Sequence, residues 1–151
     1  MKKINTYITE KLKIKKSSYK YFPKTKKELK DILKKLIKER GNEGDFNDID
    51  TSKITDMSYL FRNLEDFNGD ISNWDVSKVT NMKYMFFWCK SFNQDISNWD
   101  VSNVTNMRAI FFKCKSFNQD ISNWNVLNVT DMRYMFANCP IKEKYKPKFS
   151  I

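Results

Sequence analysis

Three cysteines recur along the chain at intervals of 25 residues, at Cys89, Cys114 and Cys139. A row of thiols could bind a soft metal ion or take part in redox chemistry. However, the chain has no CxxC pair and no histidine, which is the commonest metal ligand. We therefore interpret each cysteine as a small buried apolar residue, and keep a thiol-based metal or redox site as the alternative.

A second row consists of acidic residues at the same spacing, Asp45, Asp70, Asp95 and Asp120. A calcium ladder would need several oxygen ligands for each ion. Amide oxygens at the same spacing could supply some of them, from Asn68, Asn93 and Asn118. The favoured interpretation is that each aspartate accepts backbone N–H groups of its own turn. Calcium binding is the alternative.

The residue inventory argues against catalysis. Without histidine, the chain lacks the usual general base and the usual partner of a nucleophile. It also contains no glycine-rich phosphate loop, GxSxG or HExxH motif. The sequence therefore predicts a protein that is not an enzyme and that needs no cofactor or metal.

These rows arise from an internal repeat, which is the strongest signal in the sequence. Residues 67–91 read FNGDISNWDVSKVTNMKYMFFWCKS, and residues 92–116 match them at 19 of 25 positions. Residues 117–141 form a third clear copy, and residues 42–66 form a diverged first copy in the same register.

Each repeat shows two apolar patterns in succession. Ile71, Trp74 and Val76 step like a short strand. Apolar residues then stand at i, i+3, i+4 and i+7, which predicts a helix with one buried face. The helix pattern consists of Met82, Met85, Phe86 and Cys89. The predicted fold is thus an α/β repeat solenoid, leucine-rich-repeat-like, with four 25-residue strand–helix coils whose tryptophans (Trp74, Trp99 and Trp124) lie in the core.

The pattern Ile-x-x-Trp-x-Val-x-x-Val-x-x-Met-x-x-Met-Phe-x-x-Cys resembles the BspA-type leucine-rich repeat. The similarity is closest to its mycoplasma-type surface-protein branch, which is marked by FNxDISNWDVSNVTNM. Segments 25–41 and 48–61 are similar to the N-terminal lead-in of that branch. The resemblance implies an adhesive or interaction-mediating protein without catalytic residues. Many members carry a secretion signal or a lipoprotein anchor, neither of which is seen in this sequence.

The two ends of the chain carry its positive charge. Residues 1–40 hold fifteen Lys/Arg and four Asp/Glu, whereas residues 41–141 hold nine and thirteen. Thr25-x-x-Glu28 is a capping box that begins an amphipathic helix, and Gly41 ends it. We expect this helix to cover the first coil. Alternatively, basic residues of this region bind nucleic acid through phosphate contacts: Lys13, Lys15, Lys16, Lys20, Lys26, Lys27, Lys30 and Lys34.

Two surfaces of the predicted coils could bind a partner protein. The helix side combines aromatic and cationic residues, which dominate interface energetics: Lys83, Tyr84, Phe87, Trp88, Arg108, Phe112, Lys113, Arg133 and Tyr134. The strand face is polar and nearly repeated: Asn73, Asp75, Asn98, Asp100, Asn123 and Asn125.

The predicted organisation is a basic segment at 1–24, a capping helix at 25–41, repeats at 42–66, 67–91, 92–116 and 117–141, and a frayed basic tail at 142–151. We expect a monomeric, cytoplasmic module without a membrane span that binds a partner protein. An inhibitor of a host enzyme, encoded by a phage or mobile element, is one hypothesis for its role. Nucleic-acid binding through residues 1–40 and a cell-surface adhesin are the alternatives.

Overall fold

The computed structural model describes residues 18–150, and the part of the chain it describes contains one α-helix, α1 (Lys26–Arg40). A short 3-10 helix spans Glu143–Tyr145. Within that range there is no extended strand. Five isolated parallel bridges connect Tyr21 with Ile49, Asp45 with Asp70, Asp56 with Asn81, Asn81 with Asn106, and Asn106 with Asp131. No helix of residues 18–150 is long and apolar enough to cross a bilayer.

The predicted strand–helix solenoid is therefore wrong. Where a strand was expected, the chain makes successive turns, with the Trp74 N–H donating to the Ile71 carbonyl at 3.1 Å. Where a helix was expected, the chain again makes turns, each closed by a hydrogen bond between residues three apart. The Met85 N–H donates to Met82 at 3.1 Å, and the Cys89 N–H donates to Phe86 at 3.0 Å.

Hydrogen bonds between repeats explain why the helix does not form. The N–H groups of Met82, Tyr84 and Phe86 donate to carbonyls of the next repeat at 2.9–3.0 Å. These groups are therefore not available for the i→i−4 bonds of an α-helix. The first three copies share these bonds, and all four copies place two residues at positive φ: Tyr59, Asn63, Tyr84, Trp88, Ala109, Lys113, Tyr134 and Asn138. That conformation costs about 1–2 kcal/mol per non-glycine residue, and the bonds between repeats offset the cost.

The core consists of the apolar positions that the repeat pattern had marked. Phe86 stacks between Phe61 and Phe111 with ring centroids 5.4 and 5.6 Å apart, and all three side chains are buried. The tryptophans are buried as predicted. The Trp74 Nε1–H donates to the Phe46 carbonyl at 3.0 Å, so its one polar atom is satisfied inside the core.

Helix α1 covers the first repeat, as the sequence had predicted. The Glu28 N–H donates to the Thr25 side chain at 3.2 Å, which satisfies one of the free donors at the helix N-terminus. Gly41, at φ +79°, ends the helix and donates its N–H to the Ile37 carbonyl at 2.8 Å. The leucines of the inner face are buried, and the lysines face outward except Lys26, which contacts Asp56 and Ser58 of the first repeat.

The C-terminal segment packs against the fourth repeat, in contrast to the frayed tail that was expected. The Lys142 N–H donates to Asn118 Oδ1 at 2.9 Å, and the Ile121 N–H donates to the Tyr145 carbonyl at 3.0 Å. Pro147 is buried. The C-terminal segment thus covers one corner of the fourth repeat, where a further repeat would otherwise pack.

Candidate functional site

The turns of the Met-x-x-Met-Phe-x-x-Cys segment separate buried from outward-facing residues. Its four named positions are fully buried in the second repeat, whereas the intervening side chains are half-buried. Because the copies lie side by side, the intervening residues of three repeats form one surface. We call it the aromatic–cation face, and it comprises Tyr59, Arg62, Lys83, Tyr84, Phe87, Trp88, Arg108, Phe112 and Lys113.

Stacked rings form the centre of the aromatic–cation face. Tyr59 and Tyr84 lie nearly parallel with ring centroids 5.1 Å apart, and Phe87 and Phe112 do so at 4.9 Å. Tyr84 contacts Phe87 edge-on at 5.4 Å, which joins the two pairs. Pairs of this geometry add about 0.5–1.5 kcal/mol beyond area burial, so the four rings support one another at the surface.

Cationic side chains lie over these rings. The Lys113 ammonium is 4.2 Å from the Trp88 ring centroid, and the Arg62 guanidinium is 5.5 Å from the rings of both Tyr59 and Phe87. A cation over an aromatic face is attracted by the ring quadrupole. The face therefore presents aromatic surface and positive charge together.

Comparison with known proteins identifies the family. A family model described as "Mycoplasma protein of unknown function, DUF285" matches residues 27–148, which is most of the chain. The chain belongs to the DUF285 family. No curated protein and no solved structure matches it. The DUF285 description states no function.

The structure brings together seven of the nine residues predicted for the helix-side patch. The other two lie in the last repeat, where Arg133 donates to both carboxylate oxygens of Asp131 at 2.8–3.0 Å. These hydrogen bonds lower the pKa of Asp131 to about 2. Tyr134 is 63% exposed. The orientation of Arg133 toward Asp131 removes it from the cation–ring contacts.

Two residues of the aromatic–cation face were missed in the sequence. Tyr59 and Arg62 belong to the diverged first repeat, where the motif is weakest. The repeat register contained the signal, because Tyr59 aligns with Tyr84 and Arg62 aligns with Phe87. Alignment of all four copies would have found both.

The predicted strand face is not a strand, because its residues lie in turns (Asn73, Asn98 and Asn123) or in irregular backbone just before a turn (Asp75, Asp100 and Asn125). Several of their polar groups are used within the repeats. Asp75 Oδ1 accepts the Ser77 N–H at 3.0 Å, and the Asn123 Nδ2–H donates to the Ser97 carbonyl at 3.0 Å. These groups therefore stabilise the turns and the contacts between copies.

The lysines predicted to bind nucleic acid divide into three groups. Lys13, Lys15 and Lys16 lie outside the described residues. Two others are paired, Lys26 with Asp56 at 3.3 Å and Lys27 with Asp31 at 3.0 Å. The remaining three are exposed: Lys20, Lys30 and Lys34. The outer side of α1 thus retains positive charge, but the structure does not gather these lysines into a groove.

The cysteines have a structural role in the core. The thiols of Cys89 and Cys114 are buried, and each donates to a carbonyl at 2.9 Å, Phe61 and Phe86 respectively. Burial raises the pKa of Cys89 to about 12. A thiol with so high a pKa is a poor nucleophile and a poor metal ligand at neutral pH.

The aspartate row also belongs to the turns, as the favoured interpretation predicted. Asp70 Oδ1 accepts the Ser72 N–H at 3.0 Å, and the other three make the same contact. Asn68 Oδ1 accepts the Asn93 N–H of the next repeat at 2.9 Å. Residues 18–150 contain no cluster of three or more His, Cys, Asp or Glu side chains that could hold a metal ion.

Proposed function

We propose that this protein is a non-catalytic interaction module that binds a partner protein through the aromatic–cation face. The observation that supports the proposal is the stack of four half-buried rings with cations above them. Tryptophan, tyrosine and arginine are the residues that most often contribute large binding energies at protein interfaces. A continuous set of them on one surface is typical of an interaction site.

The backbone beneath the face favours binding because it is already ordered. The Tyr84 N–H donates to Arg108 at 2.9 Å, and the Trp88 N–H donates to Phe112 at 2.8 Å. The side chains are held by stacking with neighbours from adjacent repeats. Little conformational entropy would be lost on binding, so more of the contact energy would appear as affinity.

The BspA-type resemblance of the repeats supports the same class of function, since it implies a protein that mediates interactions. We place the activity in the cytoplasm, with a monomer that acts by occupying its partner. An inhibitor of a host enzyme would work in this way, through the same face. A surface adhesin would use the same residues, but it would require the protein to be found outside the cell.

The test is a pull-down from nuclease-treated lysate of the source cells, with the full chain and a face variant. The chain itself supplies tolerated substitutions: Ala109 and Ala137 occupy the positions of Tyr84 and Phe87, and Asn63 occupies that of Trp88. The variant therefore carries Tyr84→Ala, Phe87→Ala and Trp88→Asn. We expect the wild type to retain a partner protein in about equimolar amount. The triple variant should bind that partner at least about tenfold more weakly.

The matched control is Leu127→Ser, which replaces an exposed apolar residue with the serine found at the same position of the other repeats. This control should retain the partner. Equal retention by the triple variant and the wild type would contradict the proposal, provided that both unfold at the same temperature. Fractionation of the source cells decides between the cytoplasmic protein and the adhesin.

Nucleic-acid binding is a second candidate, supported by the exposed lysines on the outer side of α1. Phosphate contacts would make the affinity fall steeply with salt concentration. Replacing Lys30 and Lys34 with glutamate should then abolish retention of nucleic acid in untreated lysate. If the lysine variant still retains a partner protein from nuclease-treated lysate, the result would favour protein binding through the aromatic–cation face over nucleic-acid binding.

A further inference from the structure

The hydrogen bonds between repeats all run in one direction along the Met-x-x-Met-Phe segment. At each junction, alternate N–H groups of one copy donate to carbonyl groups of the next. Between the third and fourth repeats the donors are Met107, Ala109, Phe111 and Lys113, with distances of 2.8–3.0 Å. No further copy follows the fourth repeat to supply acceptors. The equivalent N–H groups of the fourth repeat should therefore be left without hydrogen bonds.

The fourth repeat has this property. The four N–H groups at its donating positions have no acceptor within residues 18–150, and we call them the donor edge: Met132, Tyr134, Phe136 and Asn138. The carbonyl groups along the same segment are satisfied. Those of Arg133, Met135 and Ala137 accept from the third repeat, and those of Met132, Tyr134 and Phe136 accept within turns at 3.1–3.3 Å.

The donor edge differs from the edge of an ordinary β-strand, which offers both donors and acceptors. Two donor edges cannot pair with each other, because donors would meet donors. The opposite end of the repeats lies under α1, whose Lys26 contacts Asp56 and Ser58. The complementary occupant is therefore a segment that supplies acceptors, and an extended peptide backbone does so at alternate residues.

The surroundings of the donor edge indicate the chemistry of that segment. An open cleft of about 420 Å³ lies beside it, and its lining is mostly apolar: Met132, Tyr134, Met135, Phe136, Ala137, Pro147 and Phe149. Glu143 and Lys146, which pair at 2.7 Å, complete the lining. Residues 131–150 hold five Lys/Arg and two Asp/Glu. Lys142, Lys144 and Lys148 are exposed. Unpaired N–H donors and the excess of lysines both favour an anionic occupant.

We propose that the donor edge binds an extended acidic peptide segment of a partner protein. Backbone carbonyls of the segment accept from the four N–H groups, its apolar side chains enter the cleft, and its carboxylates contact the tail lysines. This surface is distinct from the aromatic–cation face. The proposal holds or fails independently of the function proposed above.

The test uses the ¹⁵N-labelled full chain and an acetylated, amidated peptide of sequence Glu-Val-Asp-Thr-Glu-Val-Asp-Thr. Chemical shifts and amide exchange are followed during titration up to about 1 mM peptide. We expect the amides of the donor edge to shift, and their exchange to slow at least about tenfold. The amides of Met107, Ala109, Phe111 and Lys113 are the internal control, because the same positions are already hydrogen-bonded there.

Charge is tested with variants at the two ends. Lys144→Glu with Lys148→Glu should weaken peptide binding at least about tenfold, whereas Lys30→Glu with Lys34→Glu on α1 should leave it unchanged. A peptide with lysine at every acidic position should bind at least about tenfold more weakly. All four replaced residues are exposed, so both variants should fold.

Several results would overturn the proposal. One is the absence of any shift at the donor edge at the highest peptide concentration. Another is a peptide response confined to the aromatic–cation face. Equal binding of the acidic and lysine peptides would remove the charge argument. The donor-edge amides could also exchange slowly in the absence of peptide. If their exchange slowed further as the protein concentration rose, the occupant would be a second copy of the chain.

Discussion

The two ends of the repeat array are built differently. At the N-terminal end, α1 buries Leu29, Leu33 and Leu36 against the first repeat, each at most 3% exposed. At the C-terminal end, the tail packs at one corner, and Leu127 and Tyr134 remain 72% and 63% exposed. Terminal repeats usually need a polar cover for solubility. The contrast therefore separates a closed end, which stabilises the array, from an end that remains open to a partner.

The largest effect should come from a phenylalanine in the middle of the array. Phe86→Ala removes a ring stacked on both sides, and we expect a loss of about 3–5 kcal/mol in the free energy of unfolding. Phe136→Ala at the open end should cost clearly less, since Phe136 stacks on one side only, against Phe111. Urea denaturation of both variants measures the difference. Equal losses would mean that the tail packs the last ring as tightly as a further repeat would.

The closed end should be the next most sensitive. Leu36→Ala creates a cavity between α1 and the first repeat, and we expect it to cost about 2–5 kcal/mol. Leu127→Ala at the other end should change stability by less than about 0.5 kcal/mol, because that side chain is exposed. A small effect at Leu36 would show that the helix is not needed to cover the first repeat.

The cysteines provide a chemical measure of the same gradient. Cys89 is fully buried, and its pKa is raised to about 12 by that burial, whereas Cys139 in the last repeat is only partly buried. We expect Cys139 to react with a thiol reagent at least about tenfold faster than Cys89 under native conditions. Mass spectrometry of the partly modified protein measures the rates. Similar rates would indicate that the interior repeats open as readily as the last one.

The smallest predicted effect is the pH dependence of the closed end. Arg40 donates to Asp48 at 2.8–2.9 Å, and these hydrogen bonds lower the pKa of the carboxyl group. A lowered pKa in the folded state stabilises the protein above the unfolded pKa of about 4, and the contribution disappears as pH falls through the folded value.

Asp48→Asn should therefore destabilise the protein more at pH 7 than at pH 3. Urea denaturation at both pH values measures this. Lys27→Ala, which breaks an exposed pair with Asp31, is the control and should show almost no pH-dependent change. A destabilisation by Asp48→Asn that is the same at both pH values would assign the effect to packing.

The sequence by itself determined the repeat register, the capping helix and the residues of the core. Phe86 recurs in all four copies, and Trp74 and Cys89 recur in the last three. All three are buried, because copies placed side by side align equivalent side chains. Helix α1 followed from Thr25, its apolar positions and Gly41, which are local signals. Most of the aromatic–cation face could be found in the same way, apart from Tyr59 and Arg62 in the diverged copy.

Only the tertiary structure decided the backbone that carries these side chains. The spacing of Met82, Met85, Phe86 and Cys89 buries the same four residues whether the segment is a helix or a series of turns. The turns differ from a helix in that alternate N–H groups donate to the next copy. The pattern of residues within one repeat does not reveal these bonds. Tyr84 and Trp88 give no local sign of their positive φ, because glycine would be the usual residue there. The donor edge follows from the same bonds, so it too becomes visible only when the repeats are placed together.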